Sequence, residues 1–178
     1  MHSMLRHTLA ISLLSGLGLF TTPVSAQPTV ADIMPHLGGY EWRARPAISE
    51  KLGPDADLTL MEIAKDTHQP NYIRFRAIHL LRLYPTDRVA HFLEDTLSIT
   101  PESSFLRRAL ESHSAAFATT RPERVERLAG DLLSHADPNV RIQAAQTLRS
   151  LKSTTASTLY RQRLERVPDA WEREQWQQ

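Results

Sequence analysis

Apolar residues recur at helical spacing over most of this chain. The clearest case follows Asp137-Pro138, where Val140, Ala144 and Leu148 lie four residues apart and therefore share one face of a helix. Asp137 is a typical N-cap, and Pro138 occupies the first helical position, where its missing N–H costs nothing. Strand-like alternation nowhere extends beyond a few residues. The pattern therefore predicts an all-α fold.

Proline, glycine and capping residues divide this pattern into successive helices. Asp57 and Thr86 are the predicted N-caps of two of them, and Pro101 precedes another break. Short helical segments are expected at 29–37 and 47–52, before the regular part begins. The predicted helices of the regular part cover 57–66, 72–83, the stretch between Thr86 and Pro101, 103–117, 122–135, 138–151, 153–166 and 169–178.

Every second helix of this series carries a related pattern, which indicates an internal repeat. Alanines at 77, 109 and 144 mark three copies, spaced 32 and 35 residues apart, and an arginine follows the first apolar position in two of them. In the middle copy a leucine replaces that arginine. The repeat positions are Ile73, Ala77, Leu81, Ala109, Asp137, Pro138, Val140, Arg141, Ala144 and Leu148.

The pattern D-P-x-V-R-x-x-A-A-x-x-L at 137–148 closely resembles the second helix of a HEAT repeat, in the short form known from bilin-lyase-like proteins. The resemblance covers about residues 57–151. It implies a right-handed α-α superhelix, a short HEAT-like solenoid of about three helix pairs, in which neighbouring pairs bury each other's apolar faces. We expect repeats over 57–152, an N-terminal capping segment over 27–56 and C-terminal capping helices over 153–178. A generic helical bundle is the alternative.

The resemblance also implies a structural role for one charged side chain. In this family the arginine at the position of Arg141 bonds near the turn that precedes its own helix, and Asp137 is a ready partner here. The same role is expected for Arg74. We therefore do not count either arginine among the ligand contacts.

Residues 1–26 have the three parts of a secretory signal peptide. Arg6 supplies the positive charge, residues 9–20 form an uncharged apolar run of 12 residues, and Val24-Ser25-Ala26 is a small-residue cleavage site. The run is shorter than the roughly 20 residues of a membrane-spanning helix, and no cysteine follows it for lipid attachment. An uncleaved anchor is the alternative. We expect a periplasmic or secreted protein that begins at Gln27 and spans no membrane after cleavage.

Length, cysteine content and net charge exclude several classes of function. Cleavage after Ala26 would leave 152 of the 178 residues, enough for one ordinary domain. The chain has no cysteine, which excludes disulfides, thiol nucleophiles and cysteine-ligated metals. Without Arg6, 20 basic residues balance 20 acidic ones. A zero net charge and export both argue against a nucleic-acid partner.

Few residues of the chain are candidates for catalysis or for metal binding. Neither G-x-S-x-G nor S-x-x-K occurs, and no glycine-rich phosphate loop is present. Six histidines follow residue 26, but none stands three or four residues from another, as a helical metal site requires. We therefore predict no enzyme and no catalytic, cofactor-binding or metal-ligating residues. His79 and His113, both on second helices, are the pair to inspect first.

The resemblance predicts a binding function. In HEAT-like stacks the second helices line the concave side, where their polar residues form a stripe. Its candidate partner-binding members are Arg76, His79, Arg108, Glu111, Gln143, Gln146 and Arg149. We therefore expect a non-enzymatic scaffold or adaptor that binds a protein partner in the envelope of a Gram-negative bacterium. The alternative is a chromophore- or small-molecule-binding helper, since some short HEAT-like proteins act on bilins. If neither hypothesis holds, these polar residues are ordinary solvated residues that bind no ligand.

Overall fold

The computed structural model describes residues 27–178, so the predicted signal peptide, residues 1–26, lies outside the described residues. Residues 27–178 form ten helices and no strand, which confirms the all-α prediction. The helices are α1 (Val30–Leu37), α2 (Pro46–Leu52), α3 (Ala56–Lys65), α4 (Asn71–Leu81), α5 (Asp87–Ile99), α6 (Ser103–Phe117), α7 (Pro122–Leu132), α8 (Pro138–Ser150), α9 (Thr154–Leu164) and α10 (Ala170–Gln177).

Helices α3 to α8 form three pairs in chain order, because α3 packs on α4, α5 on α6 and α7 on α8. Neighbouring pairs meet mainly through their second helices, since α4 packs on α6 and α6 packs on α8. The first helices α3 and α5 also touch. The three second helices therefore form one continuous layer, and the surface of that layer carries the polar residues predicted to bind a partner.

Small side chains at the repeat positions allow this close packing of second helices. Ala77, Ala109 and Ala144 are completely buried on α4, α6 and α8. The larger apolar repeat residues beside them are buried too, including Leu81 and Val140. Since protein interiors are packed as densely as organic crystals, an alanine at such a position brings two helix backbones close together. Sequence periodicity and burial agree along the whole layer.

The N-terminal segment covers the exposed side of the first helix pair. Helix α1 contacts both α3 and α4, and buries Ile33 and Leu37 completely. Thr29 and Asp32 form a capping box at its start, with the Asp32 carboxylate accepting from the Thr29 backbone N–H at 2.8 Å. The buried Thr59 hydroxyl of α3 donates to the Pro28 carbonyl at 2.6 Å. The core of the first pair is thereby shielded from solvent.

The last two helices cover the open side of the third pair. Helix α9 packs against α7 and α8, and α10 packs against α8. Trp176 of α10 is completely buried, with its ring 6.0 Å from that of Tyr160 on α9. Both C-terminal helices thus pack on α8 and cover the third pair.

One arginine contact occurs twice, once in α8 and once in α10. Arg141 donates from Nη1 to the carbonyls of His135 and Ala136, at 2.7 and 2.8 Å, in the turn before its own helix. Arg173 makes the same pair of bonds, at 2.6 and 3.0 Å, to the carbonyls six and five residues before it. Each arginine follows its helix N-cap by four residues, Asp137 for Arg141 and Asp169 for Arg173.

The partners of Arg141 differ from those that the sequence suggested. Asp137 accepts from the Asn139 backbone N–H at 2.8 Å and from its side chain, and does not bond to Arg141. Arg141 instead forms a two-point ion pair with Glu172 of α10. The Arg141 Nε lies 2.7 Å from the Glu172 Oε1, and the Glu172 side chain is 2% exposed. The pair with Glu172 holds the pKa of Arg141 above its ordinary value. This contact joins α8 to α10.

Asp57 does not have its predicted role either. Helix α3 begins one residue earlier, and Asp57 lies completely buried in its first turn. Its carboxylate accepts from Arg88 Nε at 2.7 Å and from the Thr86 hydroxyl at 2.9 Å. Thr86 is the N-cap of α5, as predicted. Asp57 therefore ties the first helix of one pair to the first helix of the next.

Candidate functional site

A cleft opens where the N-terminal segment crosses the second helices α4 and α6. It has a volume of about 440 Å³. Its walls come from the extended residues 42–44, from α4 and its C-cap, and from one residue of α6. The lining residues are Trp42, Arg43, Ala44, Tyr72, Phe75, Arg76, His79, Arg82 and Arg108. We call this site the arginine cleft.

Trp42 reaches the arginine cleft because the chain turns away from α1 at Gly38-Gly39. Gly39 has a φ of +89°, a conformation that side chains with a Cβ rarely adopt. The indole Nε1–H of Trp42 donates to the His36 carbonyl near the end of α1, at 2.7 Å. The ring then meets His79 of α4 edge-on, with a centroid distance of 5.6 Å. Trp42 is therefore fixed at both ends before any ligand arrives.

Arg76 connects α4 to the end of α1 and forms one wall of the cleft. Its Nη1 donates to the Leu37 carbonyl at 2.7 Å, one of the carbonyls that a helix end leaves without a helical partner. The guanidinium carbon lies 5.3 Å from the ring centroid of Trp42 and 5.2 Å from that of Tyr72. Both distances fall in the range of cation–π contacts. Since a guanidinium has five donors, others stay available to a ligand.

His79 and Glu111 connect α4 to α6 at the floor of the cleft. The His79 Nδ1 lies 3.7 Å from Glu111 Oε1, and Arg108 Nη1 lies 3.3 Å from Glu111 Oε2. Burial lowers the pKa of His79 below its ordinary value; the charges of Arg82 and Arg108 lower it further, and Glu111 opposes them. The lowered pKa favours the neutral form of the imidazole.

The charge of the arginine cleft is strongly one-sided. Four of its lining residues are arginines and none is acidic. Within residues 27–178, no hydrogen bond or ion pair engages the side chain of Arg43 or Arg82, whereas Arg108 is paired with Glu111 and Arg76 is bonded to Leu37. Clefts lined by one sign of charge focus the electrostatic potential. This arrangement favours an anionic group in the cleft.

The structure brings together one part of the predicted stripe and separates it from the rest. Arg76, His79 and Arg108 line the cleft, and Glu111 touches two of them. The remaining three members, all on α8, do not line it. Arg149 donates to the Trp176 carbonyl at 2.9 Å, so its guanidinium serves the contact between α8 and α10. The α8 members of the stripe are Gln143, Gln146 and Arg149.

Sequence reasoning missed six of the nine lining residues of the cleft. Trp42 and Arg43 belong to a segment without regular periodicity, and nothing in the pattern indicates that it crosses α4. Tyr72 carried a usable signal: it precedes Arg76 by one helical turn, and 55% of its surface is exposed. Arg82 follows the last residue of α4 and lies beside the predicted His79. Aromatic residues next to stripe positions were the available clue.

The two histidines singled out from the sequence do not meet. His113 is completely buried on α6, and its Nε2 lies 3.3 Å from Oε1 of Glu94 on α5. Glu94 also pairs with Arg124 of α7, and this pair holds the pKa of Glu94 below its ordinary value. Burial lowers the pKa of His113. The cluster connects three helices and contains no nucleophile.

Comparisons with known proteins give no match to this chain, whether with family models, curated proteins or solved structures. Within residues 27–178, no group of three or more histidine, aspartate or glutamate side chains is arranged to hold a metal ion. The same residues include no helix with the length and apolar character needed to cross a bilayer. The geometry of the arginine cleft and of the layer of second helices therefore carries the functional argument.

Proposed function

We propose that this protein is a non-enzymatic, exported scaffold or adaptor that binds a polypeptide partner in the bacterial cell envelope. The observation that carries the proposal is the layer of second helices, where α4, α6 and α8 pack side by side and the arginine cleft opens at one end. A layer of this kind offers one extended surface to a partner.

We further propose that the three pairs form a short HEAT-like solenoid with right-handed superhelical sense. The order of packing supports this proposal, since each pair contacts the next through its second helix. The turn-directed bonds of Arg141, repeated by Arg173 in α10, also support it. The expected signal peptide at 1–26 is the basis for export to the periplasm or beyond.

The composition of the cleft suits protein recognition. Arginine, tyrosine and tryptophan are the residues most enriched at the energetic centres of protein interfaces, and all three types line it. Trp42 and Arg76 are already held by bonds to the end of α1. Side chains ordered before binding lose less conformational entropy when a partner arrives. The cleft is therefore a plausible anchor point for the interface.

Affinity capture from the native host tests this function. Full-length protein with a C-terminal tag is recovered from the periplasmic fraction, and co-purifying polypeptides are identified. The variant Arg82→Glu/Arg108→Glu reverses two cleft charges, and Arg161→Glu/Arg166→Glu makes the same change in and just after α9. One envelope polypeptide lost only with the cleft variant supports the proposal. Recovery of no polypeptide contradicts the proposal, and equal recovery with both variants would mean that the interface lies outside the cleft.

A chromophore- or small-molecule-binding helper is the second candidate. The cleft volume of about 440 Å³ favours it, since small-molecule sites occupy roughly 300–1,000 Å³. The aromatic rings of Trp42, Tyr72 and Phe75 could also contact a conjugated ligand. Absorbance of the protein purified from its host separates the two candidates. A visible absorption band that resists dialysis favours the helper, and its absence together with a captured polypeptide favours the scaffold.

A further inference from the structure

We infer that the arginine cleft binds an acidic segment of the partner polypeptide, in which an aromatic or aliphatic side chain is flanked by carboxylates. This inference rests on the proposed scaffold function and adds the chemistry of the partner to it. Four arginines supply the charge, three aromatic rings supply the apolar contact, and a polar surface continues from the cleft onto α8.

The charge of the cleft is a local feature, because residues 27–178 contain equal numbers of basic and acidic side chains. No carboxylate belongs to its lining, and Glu111, which lies beside it, is already paired with Arg108. Arg43 and Arg82 make no polar contact within residues 27–178. Guanidinium groups without a partner favour the binding of carboxylates, with which they form two parallel hydrogen bonds.

Apolar surface in the cleft sets a second requirement on the ligand. Tyr72 is 55% exposed, and Phe75 packs edge-on against Phe105 with a centroid distance of 4.8 Å. Together with Trp42 they leave aromatic surface between the arginines. A ligand that offered carboxylates alone would leave this surface in water. An apolar side chain between two acidic ones covers the rings and meets the guanidinium groups at once.

The surface beyond the cleft favours a polypeptide over a nucleic acid. The second helices continue from α6 to α8, where the stripe residues Gln143 and Gln146 are neutral and the Arg149 guanidinium is bonded to the Trp176 carbonyl. Nucleic acids need basic residues along the path of their phosphates, and the arginines here are concentrated in the cleft. Amide side chains, by contrast, can both donate to and accept from the backbone of a peptide that extends over α8.

Fluorescence anisotropy of labelled peptides with the mature chain, residues 27–178, tests the inference. The first probe is a short peptide of alternating aspartate, phenylalanine and glutamate. Its controls replace the acids by asparagine and glutamine, or the phenylalanines by alanine. We expect binding of the first probe that weakens with salt, and about tenfold loss for each charge-assisted pair removed. Either control should bind at least tenfold more weakly.

Matched variants locate the binding. Arg43→Gln/Arg82→Gln removes two cleft charges that have no partner within residues 27–178, and Arg161→Gln/Arg166→Gln makes the same change at a distance. Only the first should weaken the acidic probe. Bound carboxylates should also raise the pKa of His79, measured by NMR, because they offset the charges of Arg82 and Arg108 that now lower it. Circular dichroism melting curves check that each variant is folded.

Three results would overturn the inference: equal binding of the acidic and amide peptides, displacement of the acidic probe by oligodeoxythymidylate, or stronger binding of 2-naphthoate than of the acidic probe. Failure of the inference is distinguishable from failure of the scaffold function. Capture of a polypeptide that survives Arg43→Gln/Arg82→Gln but is lost with Gln143→Glu/Gln146→Glu would overturn the acidic-segment inference and leave the scaffold standing. Capture of no polypeptide would overturn the scaffold function itself.

Discussion

Replacing Arg141 with alanine should strongly destabilise the protein. The change removes two bonds to carbonyls of the turn before α8 and both bonds to Glu172. The Glu172 carboxylate, which is 2% exposed, then stays buried without its cationic partner. Breaking a buried ion pair by removing one partner costs about 3–5 kcal/mol. Because the Arg141 side chain is 20% exposed, we expect the lower end, about 3 kcal/mol.

This loss is a large part of the total stability of a domain, which is about 5–15 kcal/mol. For a chain of this size it lowers the melting temperature by roughly 6–12 °C. Urea unfolding of residues 27–178 at neutral pH, followed by circular dichroism, measures the free energy of unfolding directly. Arg161→Ala, in which an exposed arginine of α9 is removed, is the control and should change it by less than about 0.5 kcal/mol.

A companion variant separates the two functions of Arg141. Arg173→Ala removes the equivalent bonds to two carbonyls but leaves no buried carboxylate behind. It should cost about 1–2 kcal/mol, clearly less than Arg141→Ala. If Arg141→Ala were within about 0.5 kcal/mol of the unchanged protein, the Glu172 pair would contribute nothing and the reasoning would be refuted. Equal losses for both variants would assign the whole effect to the turn carbonyls.

Three further predictions concern the core. Ala109→Leu should destabilise the protein by about 1–3 kcal/mol through overpacking. Ala115→Leu, at an exposed position of the same helix, is the control and should not destabilise it. Equal melting temperatures of the two variants would contradict the close packing of α6. Asp57→Asn should cost about 2 kcal/mol by removing the charge that holds α5 on α3, and unchanged urea unfolding would contradict this. Burial lowers the pKa of His113, so unfolding takes up a proton and the free energy of unfolding should fall as the pH drops below about 6.5. His113→Gln should reduce that dependence, with His79 and carboxylates of lowered pKa such as Glu94 supplying what is left. An unchanged slope in urea titrations between about pH 7.5 and 5 would contradict the assignment.

The helices were predictable because their signals are local. Apolar spacing and caps such as Thr86 and Asp137 act within one or two turns, and the observed helices begin close to the predicted positions. Asp57 shows the limit of such reasoning. An aspartate before an apolar run resembles an N-cap, but here its partner is Arg88, 31 residues away, and only the packing of α3 against α5 brings them together.

Only three of the nine lining residues of the arginine cleft were predicted, and all three lie on helices. Arg76, His79 and Arg108 follow from helical register, since α4 and α6 are neighbours in a stack of pairs. Trp42 and Arg43 enter from a segment without secondary structure. Its path is set by contacts distant in sequence, such as the bond from Arg76 to the Leu37 carbonyl, and a single sequence carries no record of them.

The double attachment of Arg76 links ligand binding to local unfolding. The same guanidinium that holds the last turn of α1 against α4 also forms a wall of the cleft, so detachment of the N-terminal segment dismantles the site. A ligand that requires the intact cleft must therefore stabilise the attached state, by RT ln(1 + [L]/Kd). Hydrogen exchange at the amides of α1 becomes a reporter of cleft occupancy, and its slowing with added ligand measures the affinity without any label on the partner.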